Sequence, residues 1–123
     1  MCPKKFTSTE VANRKLFIER LRSFTDNPSA GYLQNVQHAV WSSRRWPCEI
    51  VYGESGICDE CPIHSTLHDV QYYGRDEDIC YILFSSMALK GLEDLFRSHG
   101  GIILLQMTNF LIAAEAKIED EES

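Results

Sequence analysis

A chain of 123 residues buries roughly two-thirds of its unfolded surface in one core, so it needs neither disulfide nor metal in order to fold. Hydrophobic content of 44% with 24% charged residues excludes a disordered chain. The formal charge of −6 excludes the net-basic footprint of a nucleic-acid binder, and four of the negatives, Glu119, Asp120, Glu121 and Glu122, form an acidic tail over 119–123 whose simplest role is a solvated helix end.

The opening run Met1-Cys2-Pro3-Lys4-Lys5-Phe6 has no apolar stretch of the signal-peptide kind. Thr7-Ser8-Thr9-Glu10 then reads as a capping box, with Phe6 and Val11 at the two hydrophobic-staple positions. Phe17, Leu21 and Phe24, widened by Ile18, recur at helical spacing and predict a first helix over about 8–25 with that face buried. Asn27 as cap and Pro28 at the first helical position start a second helix, whose core face is Leu33, Val36 and Val40 and which runs to about Ser43.

Residues 44–62 contain Pro47, Gly53 and Gly56 without sustained helical period, and are expected to form an irregular, Cys-bearing insertion; Glu49-Ile50-Val51-Tyr52 has the composition of a short strand. After Pro62, Ile63, Leu67 and Val70 predict a short helix that begins at Cys61 and stops at Gly74. Asp78 caps the next expected helix. Its polar positions Ser86, Lys90, Glu93, Asp94 and Arg97 follow a 3.6-residue period up to Gly100-Gly101, with Cys80 on its apolar side as a core residue. A last helix over about 102–119 has Gln106, Asn109, Ala113, Ala116, Lys117 and Asp120 tracking one face. The fold class is mainly α: a single domain, 1–123, forming a compact bundle of four to five helices with the insertion between helices 2 and 3. The alternative is α+β, with two strand-helix units in residues 78–119, because Ile79 to Phe84 also suits a buried strand.

Chemistry concentrates in Cys48, Cys58, Cys61, His64 and His68. Two residues between Cys58 and Cys61 let the backbone curl around one ion, and His64 and Cys48 complete a tetrahedral set, with His68 as the alternate imidazole. Four protein ligands leave no open position, so zinc here is structural. An iron–sulfur cluster is disfavoured because neither Cys80 nor Cys2 has supporting spacing for a fourth thiolate. The competing chemistry is a thiol-disulfide pair, Cys58 and Cys61 at a helix start, opposed by the acids Asp59 and Glu60 between them.

No P-loop, dinucleotide-binding glycine run or nucleophile elbow occurs in the sequence, and His99 is most simply a residue of a helix's last turn. Trp41, Arg44, Arg45 and Trp46 form a basic aromatic segment suited to a protein partner; two arginines are too few to argue for direct nucleic-acid binding in an acidic chain. The longest apolar stretch, 102–114, is interrupted by Gln106, Thr108 and Asn109 and falls short of the ~20 residues a membrane span needs. Five cysteines without a secretory signal fit reduced thiols in the cytoplasm. The expectation is a non-enzymatic interaction or regulatory module, with an acidic inhibitor of a nucleic-acid-binding protein as its more specific form and a redox protein or sensor as the alternative.

Overall fold

The computed structural model describes residues 6–53, 66–72, 75–78 and 88–122, and these are mostly helical, as expected for a mainly α chain. The element order is α1 (Ser8–Asp26), α2 (Ala30–Ser43), α3 (Pro47–Tyr52), β1 (Thr66–Tyr72), β2 (Arg75–Asp78) and α4 (Leu89–Glu122).

The capping box that starts α1 is complete. Thr7 Oγ1 accepts the Glu10 amide at 3.1 Å, and Glu10 Oε1 accepts the Thr7 amide at 3.0 Å. Of the two staple residues, Val11 is half exposed, while the Phe6 ring lies under the Arg14 guanidinium, 4.6 Å from its carbon. The cap of α2 is Ser29 rather than Asn27. Pro28 pushes Asn27 out of the helical region, and Asn27 becomes the C-cap of α1. Ser29 is extended, and its Oγ accepts the Tyr32 amide at 3.2 Å.

Residues 47–52 correct the expectation of an irregular chain and of a strand over 49–52. Pro47 occupies the first turn of α3, the Trp46 amide donates to Glu49 Oε1 at 3.3 Å, and Gly53 closes the helix in the left-handed conformation at φ 77°. Ile50 and Val51 are buried in the common core, so packing outweighs their β-branched preference. A second correction concerns the helix expected to begin at Cys61. Residues 66–72 form a strand instead, paired antiparallel with β2 in the register Thr66 with Asp78 and Tyr72 with Arg75, with a shift between Leu67 and Gln71. Thr66, Val70 and Tyr72 are strand-favouring residue types, and that preference prevails over the three-residue step from Leu67 to Val70. Asp78 ends β2, and the helix expected to start there lies outside the described residues. Residues 79–87, including Cys80 and Ser86, lie outside the described set.

α4 replaces the α+β alternative across 89–119. It is one helical run with a break at His99, whose φ of −133° and ψ of 19° are not helical. The paired glycines that follow are poor helix formers, and two helices meet at this kink, close to the stop expected at Gly100-Gly101 and the restart expected at about 102. Lys90, Glu93, Asp94 and Arg97 are exposed as their period requires. In the C-terminal part the outward face is rotated: Leu105, Asn109, Ile112 and Ala116 face out, whereas Gln106 and Ala113 are half-buried. By length and composition α4 is also long and apolar enough to cross a membrane, although Ile103, Met107, Phe110, Leu111 and Ala114 on its inner side belong to the protein core.

The core joins Phe17, Leu21 and Phe24 of α1, Leu33, Val36 and Val40 of α2, Ile50 and Val51 of α3, and Leu92, Ile103, Met107 and Phe110 of α4. Edge-to-face ring pairs link α1 to α4, Phe17 with Phe110 at 5.9 Å and Phe24 with Phe96 at 6.0 Å. Rising numbers in α1 meet falling numbers in α4, so the two helices run antiparallel. Arg14 to Glu121 at 2.7 Å and Arg22 to Glu115 at 2.6 Å extend that contact to the end of α4. The acidic tail is the end of α4, which runs to Glu122; Glu119, Asp120 and Glu121 are solvent-exposed there, and Glu121 in addition pairs with Arg14 of α1.

Candidate functional site

The segment Trp41 to Trp46 is the turn between α2 and α3. Its conformation follows from local chemistry. α2 ends at Arg44, which takes the left-handed conformation at φ 58° and sends its amide to the Trp41 carbonyl at 3.2 Å. Ser43 Oγ donates to the Val40 carbonyl at 2.7 Å and accepts the Arg45 amide at 3.2 Å, closing the turn from within. Pro47 then fixes the entry into α3.

The four residues of the basic aromatic segment divide into two pairs. Trp46 packs against the core, and Arg45 reaches Glu10 at the start of α1, 3.3 Å away. Trp41 and Arg44 point outward, with Trp41 54% exposed. Phase explains the division of the rings: Leu33, Val36 and Val40 define the inner face of α2, and Trp41 follows Val40 by one 100° step.

Cys48 is the member of the candidate metal set whose side chain is described. It lies in the first turn of α3, 6% exposed and reduced. His68 sits in β1, so the expected helical spacing between His64 and His68 does not exist. The helix that was to lower the Cys61 thiol pKa is likewise absent over 66–72. Cys58, Cys61 and His64 lie outside the described residues. Among the described residues, no three His, Cys, Asp or Glu side chains come close enough to hold an ion.

Sequence pattern does not anticipate the charged groove between α1 and the end of α4, with a volume of about 580 Å³. Its walls carry Arg14, Lys15 and Arg22 against Glu19, Glu115 and Glu119. Opposed charges in equal number give it no net sign, and two of the arginines are engaged in the ion pairs to Glu121 and Glu115. Arg14 itself is buried, and its Nε and one Nη lack hydrogen-bond partners. The readable signal was its place three residues before Phe17, on the core stripe of α1. No family model, curated protein or solved structure matches the chain.

Proposed function

We propose that the chain is a small cytoplasmic, non-enzymatic interaction or regulatory module that presents the end of α2 to another protein. The observation that supports this reading is Trp41, 54% exposed and three residues before the left-handed Arg44. Tryptophan and arginine are over-represented among residues that dominate binding energy, because a rigid aromatic surface gains much on desolvation and loses little entropy. Arg45 and Trp46 anchor the same turn to Glu10 and the core, so the outward pair stands on fixed backbone.

In this reading zinc on Cys48, Cys58, Cys61 and His64, with His68 as the alternate ligand, staples the segment 44–62, α3 included, to a four- to five-helix bundle. Burial of Cys48 suits a ligand turned inward and equally a small apolar core residue, so metal content decides between them. In the more specific form, the acidic end of α4 occupies the basic surface of a nucleic-acid-binding partner. Arg14 and Arg22 already compete for Glu121 and Glu115, which leaves the Trp41 and Arg44 surface as the main contact.

The experiment has two readouts on the full-length protein. Native mass spectrometry with and without chelator should give one zinc per chain, lost in Cys58→Ser and Cys61→Ser. Metal-free protein with a reversible Cys58–Cys61 disulfide overturns the staple and supports the redox alternative. For the surface, a protein recovered stoichiometrically is reconstituted from purified components and titrated against the Trp41→Ala, Arg44→Ala variant. The affinity should fall at least about tenfold. Unchanged affinity overturns the assignment of the surface.

A further inference from the structure

Ile102, Leu105 and Ile112 are 44%, 59% and 61% exposed and share one side of α4. Asn109, Ala116 and Glu119 lie exposed on the same side. The steps along the series alternate between three and four residues, the a and d positions of successive heptads. The inner side of the helix is already occupied, since Ile103, Met107, Phe110 and Ala114 pack in the core. An ordinary surface helix turns charge toward water on this side. Here three large aliphatic side chains and one alanine line it, with Asn109 at a single a position. A lone asparagine in an apolar seam fixes register and partner number at some cost in stability, which gives it a purpose in a self-complementary contact.

We propose that α4 pairs antiparallel with α4 of a second copy, making a two-fold symmetric dimer through Ile102, Leu105, Asn109, Ile112 and Ala116. Charge sets the direction. Parallel pairing stacks two copies of Glu119, Asp120, Glu121 and Glu122 at one end, with Glu119 facing itself inside the seam. Antiparallel pairing puts the acidic ends at opposite ends of the contact and opposes the helix dipoles. In that arrangement a positions meet d positions: Leu105 of one copy lies against Ala116 of the other, and Asn109 against Ile112.

The seam from 102 to 119 is about 26 Å long at the rise of an α-helix. One helix face of that length is small beside the ~800 Å² per partner of a typical stable complex, so the dimer is a weak, reversible one. This contact is distinct from the Trp41 and Arg44 surface, and either can fail without the other.

Sedimentation equilibrium of the full-length protein across the micromolar range tests it. The unmodified chain should show a monomer–dimer equilibrium. Leu105→Glu and Ile112→Glu should each weaken dimerisation at least about tenfold while keeping the helical circular dichroism, because both side chains already stand mostly in water. Val11→Glu, at a comparably exposed site on α1, should dimerise as the parent does. Asn109→Leu should tighten association and admit higher oligomers. A parent chain that stays monomeric throughout overturns the proposal, as do Glu variants that still dimerise. Monomers that bind phosphatidylcholine vesicles, and lose that binding on Ile112→Glu, overturn it in favour of a lipid surface. Strong tightening of the dimer with added salt overturns the antiparallel direction, since screening would then be relieving stacked acidic ends.

Discussion

Replacing Arg14 with Met should leave the fold at least as stable, whereas replacing Glu121 with Gln should weaken it. Arg14 is 9% exposed, its guanidinium is 2.7 Å from Glu121, and its Nε and one Nη are buried without acceptors. Each buried, unpaired polar group costs about 1–3 kcal/mol. Against that stand an ion pair whose side chains are 11% and 28% exposed and a stack on Phe6 that returns about 0.5–2 kcal/mol. Methionine keeps the length of the stem, removes the unpaired donors and sets a sulfur against the Phe6 ring, so the net change is a gain of about 0–1 kcal/mol. Glu121→Gln instead strands the cation. Breaking a fully buried pair costs about 3–5 kcal/mol; at the last turn of α4, where fraying gives Arg14 access to water, about 1–2 kcal/mol is expected. Urea unfolding followed by far-UV circular dichroism measures both changes, provided the m-value stays constant. In the Arg14→Met background the cost of Glu121→Gln should vanish. A loss above about 1 kcal/mol in Arg14→Met would show that the pair contributes net stability, and an equal Glu121→Gln cost in both backgrounds would show that the two side chains are not coupled; either result would refute the reasoning.

Phe110, 1% exposed and edge-on to Phe17, is the packing link between α4 and α1. Phe110→Ala should cost about 3–5 kcal/mol in the same assay, and a loss below about 1.5 kcal/mol would mean that the α1–α4 contact collapses around the gap. Backbone substitutions should act in opposite directions. Gly101 has nothing within 4 Å of an added Cβ and lies in a helix, so Gly101→Ala should stabilise by about 0.5–1 kcal/mol. Gly53 caps α3 at φ 77°, so Gly53→Ala should destabilise by about 1–2 kcal/mol. A melting temperature that moves the same way in both variants would contradict the assigned conformations.

Where a helix has one apolar face and one charged face, spacing has a single solution. Phe17, Leu21 and Phe24 are legible in this way, as are Leu33, Val36 and Val40, and every one is buried. The Thr7 capping box is equally local, since both of its hydrogen bonds close within one turn. Residues 47–52 and 66–72 are misread for opposite reasons: in the first, packing overrides a β-branched pair; in the second, β-favouring Thr66, Val70 and Tyr72 override a helical step. Composition marks Trp41 to Trp46 as a surface, but only the phase of α2 and the position of Pro47 decide which ring turns inward. For the cysteine cluster, spacing supplies a donor set and nothing more, because placing Cys48 inside α3 depends on contacts far apart in sequence.

α4 exposes the deeper limit of periodicity. Its C-terminal part is apolar on two sides, one carrying Ile103, Met107 and Phe110 and the other Ile102, Leu105 and Ile112. A search for the polar face finds Asn109, Ala116, Lys117 and Asp120, which are exposed, but it also takes in the half-buried Gln106 and Ala113 and passes over the exposed aliphatics, because it assumes that only polar residues face water. Burying both sides satisfies the same sequence without that assumption, provided the second is covered by something other than this chain's core. The half-buried Gln106, whose Oε1 finds no partner, stands at the border between the two faces. A contact along the outer seam can supply that missing donor, so solvent protection at Gln106 should rise with protein concentration in the parent chain and not in Ile112→Glu, as read by amide side-chain exchange in nuclear magnetic resonance. Protection that is independent of concentration would mean that Gln106 is satisfied within one chain and owes nothing to the outer seam.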